Sequence, residues 1–328
     1  MKKTPKGIGL LSGGLDSILA VKILQEQSID LMCLRFTTPF FAPKDQAWPG
    51  HIDGVEIRLI DIGNNHLQML RNPRYGYGSQ MNPCIDCHAL MLREAGLIME
   101  QTGADFLFTG EVLGQRPMSQ RRDSLRSVEK LAGYPGRVLR PLSARLLPPT
   151  IVEIEGLIDR DRLLDIQGRS RKRQMALADR YNITDYEQPG GGCLLTKETF
   201  SRKLKHLLEC LPRATTRELE MLKWGRLFRL GDDTILVIGR NEKDNLKLSS
   251  LAVDRDVVLS TVGFPGPLGL LLGNPIARDN LAPAARIVAS YCDAPDGHFM
   301  HVSWKFAQNE GVIGITKTHR NHHMESAI

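Results

Sequence analysis

The chain has 328 residues, of which 42% are hydrophobic and 24% charged, with a net charge of +6 and a pI of about 9.0. This length suggests roughly two domains, and the composition is typical of a globular protein in solution. No apolar run approaches the roughly 18 residues of a membrane span. The amino-terminal residues lead into a strand-like run instead of a secretory leader. We therefore expect a cytoplasmic protein with no membrane partner. Its net positive charge suits a polyanionic partner.

The first part of the chain alternates strand-like and helix-like segments. Apolar runs predict strands at 7–11, 31–36, 55–62 and 105–110, and apolar spacing of about 3.6 residues predicts helices at 16–27 and 85–101. This alternation predicts an α/β fold with a doubly wound parallel sheet, which binds ligands at the carboxyl ends of its strands. The stretches 37–54 and 63–83 are rich in Pro, Gly and Asn, so we predict long loops over that edge.

The pattern of predicted elements changes after Pro212. Helices are predicted at 169–181 and 197–211, and short strand-like segments then recur at 226–230, 234–239, 257–261, 300–306 and 311–316. We place the boundary at 211/212, with residues 1–211 as the first domain and 212–328 as a smaller α+β domain. The histidine-rich tail from 319 onward is expected to fray.

A glycine turn after the first predicted strand is the most specific motif. Ser12, Gly13, Gly14, Asp16 and Ser17 form the pattern SGGxDS at the start of a predicted helix. Unpaired N–H groups at a helix start bind phosphate well. The motif is shorter than a Walker loop and has no lysine. It resembles the pyrophosphatase loop (PP-loop) of the N-type ATP pyrophosphatases, which implies ATP with Mg²⁺, the ion being oriented by Asp16.

Cysteine spacing suggests a second chemical site. Cys84 and Cys87 stand two residues apart at a predicted helix start, where the helix terminus is expected to lower a thiol pKa. The best third partner is Cys193, which follows three glycines. Such a trio would leave one iron of a [4Fe-4S] cluster open. Burial or a zinc half-site is the alternative. The other three cysteines are expected to be buried small hydrophobes: Cys33, Cys210 and Cys292.

Further motifs resemble the PP-loop tRNA thiouridine synthetases, with their adenine nucleotide alpha hydrolase-like fold. Residues 109–115 (TGEVLGQ), 118–120 (MSQ) and 140–142 (RPL) are similar to signatures of 4-thiouridine synthetases, and the cysteine trio is similar to that of iron–sulfur 2-thiouridine synthetases. The resemblance covers residues 7 to about 200. It implies ATP contacts for Thr109, Gly110 and Gln115. It also implies catalytic roles for Asp16, Cys84, Cys87 and Cys193.

This resemblance implies that ATP adenylates a uracil carbonyl oxygen of tRNA and that sulfur then replaces AMP. The implied cofactors are ATP, Mg²⁺ and a [4Fe-4S] cluster, with inorganic sulfide or a persulfide carrier as sulfur donor. Neither the THUMP domain nor the rhodanese-like domain of the long 4-thiouridine enzymes is recognisable. Three alternatives stay open: a cluster-free persulfide or disulfide route through Cys193, an amide-forming PP-loop ligase, and an iron–sulfur RNA-binding sensor. The choice of 4-thiouridine or 2-thiouridine is also open, as is a homodimer.

Two basic runs are candidates for contact with RNA. They could equally be solvated helix faces. The candidate residues are Arg121, Arg122, Arg169, Arg171, Lys172 and Arg173. In the smaller domain, residues 222–245 faintly resemble the RNA-binding module of ribosome quality-control factors, so we expect this domain to bind RNA.

Overall fold

The fold is described by a computed structural model of residues 4–41, 51–52, 54–187, 192–273 and 278–328. Pro189, Gly190 and Gly191 of the predicted turn before Cys193 lie outside these residues. The chain forms two compact units, Met1–Leu194 and Leu195–Ile328. The sequence placed the boundary one helix later.

The first unit is a sheet between two layers of helices. Its strands are β1 (Lys6–Leu10), β2 (Asp30–Thr37), β3 (His51–Ile52), β4 (Val55–Asp61), β5 (Phe106–Thr109) and β6 (Val138–Leu139). Its helices are α1 (Leu15–Gln25), α2 (Gly63–Arg71), α3 (Cys84–Thr102), α4 (Arg122–Ala132), α5 (Ile151–Ile154) and α6 (Lys172–Arg180). The strand order is β3-β4-β2-β1-β5-β6, and every pairing except β3 with β4 is parallel.

One apolar core lies on each face of this sheet. Helices α1 and α6 cover one face, while α3 and α4 cover the other. The central strand β1 can lie close to β5 because Gly7 and Gly9 leave room for the rings of Phe106 and Phe108. The predicted doubly wound α/β fold is therefore confirmed, and the carboxyl ends of β1 and β5 lie side by side.

The main correction in this unit concerns the predicted loop at 63–83. Its first part is helix α2, because Leu67 and Leu70 are buried on one side of that segment. Polar residues and a glycine at the start of α2 concealed its helical spacing. Helix α4 also lies where the sequence predicted no helix.

The second unit is built on an antiparallel sheet. Its strands are β7 (Arg226–Arg229), β8 (Thr234–Ile238), β9 (Val257–Val262), β10 (Gly269–Gly273), β11 (Phe299–Phe306) and β12 (Asn309–Thr316), in the order β12-β11-β9-β10-β8-β7. Its helices are α7 (Glu198–Cys210), α8 (Thr216–Met221), α9 (Glu242–Leu251) and α10 (Arg278–Ser290). This is the predicted smaller α+β domain.

Two details of the second unit differ from the sequence prediction. Helix α7 belongs to this unit because it packs near β8, and Lys203 on α7 donates to the carbonyl of Gly225 at 2.6 Å. The tail is not frayed: residues Arg320–Ser326 form a 3₁₀ helix, and the amide of Ile328 donates to the carbonyl of Leu227 at 3.0 Å. Among the described residues, we find no helix that is both long and apolar enough to cross a membrane.

Candidate active site

The PP-loop joins the end of β1 to the start of α1. Gly13 has a φ of +80°, a left-handed conformation that glycine adopts readily, and Gly14 is the residue that precedes the helix. The Ser17 hydroxyl donates to the carbonyl of Gly14 at 2.7 Å, and the Gly14 amide donates to Ser12 Oγ at 3.3 Å. These bonds hold the turn open in front of the helix, where the first N–H groups have no intrahelical partner.

Asp16 presents an oxygen that suits a cation. Its Oδ2 accepts a hydrogen bond of 3.0 Å from Gln115 Nε2. Its Oδ1 is buried and has no hydrogen-bond partner among the described residues. A buried carboxylate oxygen without a partner is costly, and a hard cation such as Mg²⁺ would relieve that cost. The residues present therefore fit the implied magnesium ion.

The end of β5 lies directly against this turn. Thr109 pairs with Leu10, and a Cβ on Gly110 would come within 2.5 Å of the backbone of Asp16 and Ser17. Only glycine permits such a close approach. The structure thus brings together all eight residues expected at ATP: Ser12, Gly13, Gly14, Asp16, Ser17, Thr109, Gly110 and Gln115.

Two further residues line the turn that the sequence did not single out. Arg35 on β2 is buried and forms an ion pair with Glu187, whose amide donates to the carbonyl of Gly13 at 2.8 Å. Both side chains lie within about 3.2 Å of the place where a Cβ on Gly13 would be. Arg35 could have been found from the sequence, because it stands within the mainly apolar segment of β2. Buried charged residues are rare unless they are paired.

The paired cysteines lie at the first turn of α3. Asn82 Nδ2 donates to Cys84 Sγ at 3.2 Å. Burial raises the pKa of the Cys87 thiol, and so do the nearby charges of Cys193, Cys84 and Asp86. The expectation that the helix terminus lowers the thiol pKa is therefore wrong for Cys87, because burial and negative neighbours outweigh the helix dipole. Cys84 lies three residues before Cys87 on the same helix, and Cys193 is among the groups whose charge acts on Cys87.

A histidine that the sequence did not single out touches this cluster. His66 on α2 is fully buried, and its Nε2 lies 3.3 Å from Cys87 Sγ. Burial lowers the pKa of His66 to about 4, so the imidazole is neutral at neutral pH. Phe40 packs on the His66 ring at 5.2 Å between centroids, and its carbonyl accepts from the amide of Leu194 at 2.9 Å. These contacts tie Leu194, the residue after Cys193, to Phe40, which itself packs on His66.

As arranged here, the described residues include no group of three His, Cys, Asp or Glu side chains converged tightly enough to hold a metal ion. The chemistry of the donors, thiols with an imidazole 3.3 Å from one of them, is nevertheless the kind that a soft metal or an iron–sulfur cluster prefers. The remaining cysteines, Cys33, Cys210 and Cys292, are buried as expected.

A buried ionic network joins the two halves of the site. Glu111 accepts from Arg140 Nε at 3.0 Å and from Thr109 Oγ1 at 3.0 Å, and His88 Nδ1 lies 2.9 Å from its other oxygen. Burial alone would raise the pKa of Glu111, but Arg140 and His88 outweigh it and lower this pKa to about 2. Since Glu111 follows Gly110 and His88 follows Cys87, continuous contacts connect the PP-loop to the cysteines.

The candidate RNA-binding residues flank the TGEVLGQ segment. Gly168, just before the second basic run, donates to the carbonyl of Leu113 at 2.8 Å. Arg169 and Lys172 are exposed, whereas Arg173 pairs with Asp165 at 2.7 Å. Arg171 Nε is buried without a hydrogen-bond partner in the described part of the chain. On the other side of the segment, Arg121 and Arg122 are exposed at the start of α4.

Comparison with known proteins gives a family-model match in the second unit and two curated relatives. Residues 225–325 match the family model described as the NFACT protein RNA binding domain. The chain is 31% identical over 115 residues to tRNA-specific 2-thiouridylase MnmA of Pelobacter propionicus (strain DSM 2379 / NBRC 103807 / OttBd1), a match covering 30% of this chain and 31% of that protein. It is 28% identical over 144 residues to a probable tRNA sulfurtransferase of Lysinibacillus sphaericus (strain C3-41), covering 42% of this chain and 34% of that protein.

The chain thus spans about a third of the length of the curated relatives it matches. Among solved structures, NMN synthetase from Francisella tularensis aligns with a TM-score of 0.26 and 13% identity, covering 58% of this chain and 91% of that one. The two curated matches confirm the resemblance that the PP-loop, TGEVLGQ and cysteine motifs predicted: the chain is similar to the tRNA thiouridine synthetases.

Proposed function

We propose that this protein is an ATP-dependent sulfurtransferase that converts a uridine of tRNA to a thiouridine. The observation that carries the proposal is the chain of contacts from Asp16 through Gly110, Glu111 and His88 to Cys87. It joins a turn suited to the phosphates of ATP with a cluster of thiols in one unit. The names of the two curated relatives agree with this chemistry.

The first step activates a poor leaving group. A uracil carbonyl oxygen attacks the α-phosphate of ATP, pyrophosphate leaves, and the ring N3–H proton is released, so that an O-adenylate forms. Ser12, Ser17 and the first N–H groups of α1 bind the departing pyrophosphate. Asp16 would hold Mg²⁺ through its unpartnered Oδ1, and Gln115 fixes the carboxylate through its Oδ2. Charge-assisted bonds of this kind are about twice as strong as neutral ones.

The second step brings sulfur to the activated carbon. Sulfur bonds to that carbon, the C–O bond breaks, and AMP leaves. Cys84, Cys87 and Cys193 would hold a [4Fe-4S] cluster, which when bound supplies an open iron for a hydrosulfide. His66 and Asn82 contact Cys87 and Cys84 respectively and so fix the direction of those two sulfur atoms. Such surrounding contacts orient metal ligands.

RNA binding is proposed for both units. The exposed Arg169 and Lys172 lie next to the TGEVLGQ segment, which in turn contacts Asp16 through Gln115. In the second unit, the match to an RNA-binding family covers residues 225–325. A uridine activated at the PP-loop would therefore have basic side chains close by to hold its backbone.

The experiment is a single-turnover assay with anaerobically purified protein, ATP, sulfide and tRNA. It quantifies AMP by chromatography and thiouridine by mass spectrometry, with iron content measured in parallel. Cys84→Ala is compared with Cys33→Ala, which removes a buried sheet cysteine from the same unit.

We expect one AMP per thiouridine in the parent protein, and loss of both iron and thiouridine in Cys84→Ala but not in Cys33→Ala. Full thiouridine formation by an iron-free parent would contradict the cluster. Thiouridine formed with a persulfide donor but not with sulfide would favour the persulfide route. Full thiouridine formation by Cys84→Ala would contradict the proposed use of the cysteine trio. Release of AMP by the parent without any thiouridine would instead favour an amide-forming ligase.

A further inference from the structure

A cationic cavity lies in the first unit beside helix α4. Its volume is about 930 Å³, and it lies between α4 and the segment 144–150. Residues at positions 122, 126 and 130 lie one helical turn apart, so their side chains share one face of α4. Arg122, Arg126 and Lys130 on that face are exposed and line the cavity.

Four cationic and three acidic residues line the cavity, and two of the acids form ion pairs with arginines that lie outside the α4 face. Glu129 pairs with Arg140, and Glu153 accepts from the amide and hydroxyl of Thr150 and pairs with Arg160. Asp123 is the other acidic lining residue. Within the described ranges, neither Arg126 nor Lys130 forms an ion pair, so the cavity favours an anionic ligand.

A buried arginine provides an independent indication of a ligand. Arg140 lines the cavity and is only 3% exposed, and its Nη2 has no hydrogen-bond partner among the residues that the structure describes. Leaving a buried guanidinium N–H unpaired is costly. Its Nε and Nη1 already donate to Glu111 and Glu129, so Nη2 is the group that a ligand acceptor such as a phosphate oxygen would satisfy.

The opposite wall is apolar. Leu147, Pro148 and Pro149 line it, and the latter two are exposed. A nucleotide combines a phosphate with a flat base, and the cavity volume falls within the usual range of roughly 300–1,000 Å³ for ligand pockets. We propose that this cavity binds a nucleotide of the RNA strand, with the phosphate on the α4 cations and the base against the two prolines. The inference rests on the proposed function for the identity of the RNA as tRNA.

The test measures tRNA affinity of the full chain by fluorescence anisotropy over a range of salt concentrations, without ATP or sulfide. Arg126→Glu reverses one cavity charge. Arg58→Glu reverses an exposed charge of the same unit outside the cavity and serves as the matched control. Ser127→Trp fills the cavity without changing charge, since Ser127 also lines it. Thermal melting confirms that each variant is folded.

We expect Arg126→Glu to weaken binding about tenfold and to reduce the salt slope by about 1, as loss of a phosphate contact requires. Ser127→Trp should weaken binding about fivefold, because the indole would occupy the space that the nucleotide needs. Arg58→Glu should stay within about twofold of the parent. The proposed nucleotide site would be overturned if Arg126→Glu and Arg58→Glu changed tRNA affinity equally. Normal tRNA affinity of Ser127→Trp would also overturn it.

The proposed thiolation of tRNA and the proposed nucleotide site can be overturned independently of each other. If the parent thiolates tRNA while the cavity variants bind it normally, only the cavity is overturned. If the parent binds tRNA through the cavity but forms no thiouridine, the proposed activity is overturned and the cavity stands.

Discussion

At the residue scale, the surroundings of the Asp16 carboxylate are the most informative feature of the PP-loop. One carboxylate oxygen is held by Gln115, and the other is buried with no partner in the described part of the chain. A carboxylate in this state is poised for a cation rather than for a structural bond. Under the proposed function, this oxygen is the one that would hold Mg²⁺ at the phosphates of ATP.

The first prediction concerns Asp16→Asn. This change keeps the shape of the side chain and its capacity to bond Gln115, but it removes the charge that would hold Mg²⁺. We expect AMP formation to fall by at least about a hundredfold, a loss typical of removing one electrostatic contribution at a reaction centre. Pyrophosphate release checks this, and tRNA affinity should not change. Undiminished pyrophosphate release would show that Asp16 does not act on the phosphates.

Glu111 gives a prediction about pH. Its pKa in the folded protein is about 2, below the usual 4.5, because Arg140 and His88 outweigh the effect of burial. A lowered pKa means that ionised Glu111 contributes stability above pH 4.5 and loses that contribution as pH falls toward 2. Glu111→Gln should therefore reduce the free energy of unfolding at pH 7 by about 3 kcal/mol.

Denaturant unfolding at several pH values tests this prediction. The stability gap between parent and Glu111→Gln should narrow between pH 4.5 and pH 2, since the parent loses its ionic network there. Glu56→Gln, which alters an exposed acid of β4, serves as the control and should show little change at any pH. A gap that is constant over the whole pH range would contradict the role assigned to the carboxylate charge.

At the scale of elements, the site depends on the contact between the end of β5 and the start of α1. Gly110 makes this contact with backbone atoms of Asp16 and Ser17, which cannot move aside as a flexible side chain would. We predict that Gly110→Ala destabilises the protein by about 1–3 kcal/mol through overpacking. It should also weaken ATP binding, because the first turn of α1 must shift.

Thermal melting and calorimetric titration with ATP measure these two effects. Gly231→Ala is the matched control, because a Cβ there would meet its nearest atom at an ordinary 3.9 Å. Equal behaviour of the two alanine variants would show that the approach of β5 to α1 is not tight.

The sequence could predict the elements that follow from local patterns, but not the contacts between residues distant in sequence. The turn at Ser12–Ser17 and the helix after Cys84 follow local patterns, and both lie where those patterns predict. His66 could not be identified, because its importance comes from contact with Cys87, which is distant in sequence. The pairing of Arg35 with Glu187 is likewise distant in sequence. Local spacing carries no information about such partners, which only folding brings together.

At the scale of the whole molecule, the net charge of +6 predicts RNA binding that weakens with salt. Arg169, Lys172 and Arg173 are all exposed, and Arg173 also forms an ion pair with Asp165. Arg169→Ala and Lys172→Ala should each reduce the magnitude of the salt slope by about 0.9. Arg173→Ala should reduce it less, because Arg173 pairs with Asp165. Binding titrations with tRNA at several salt concentrations measure these slopes. Identical slopes for all three variants would argue against contact at this run.

The central claim is that the PP-loop and the cysteine trio together carry out the thiolation of tRNA. Mass spectrometry of nucleosides from digested tRNA tests it most directly, using cells in which the gene is deleted. The account predicts that one thiouridine disappears from the deletion strain, returns with the parent gene, and does not return with Asp16→Asn or Cys84→Ala. An unchanged thiouridine content in the deletion strain, or full restoration by Asp16→Asn, would contradict it.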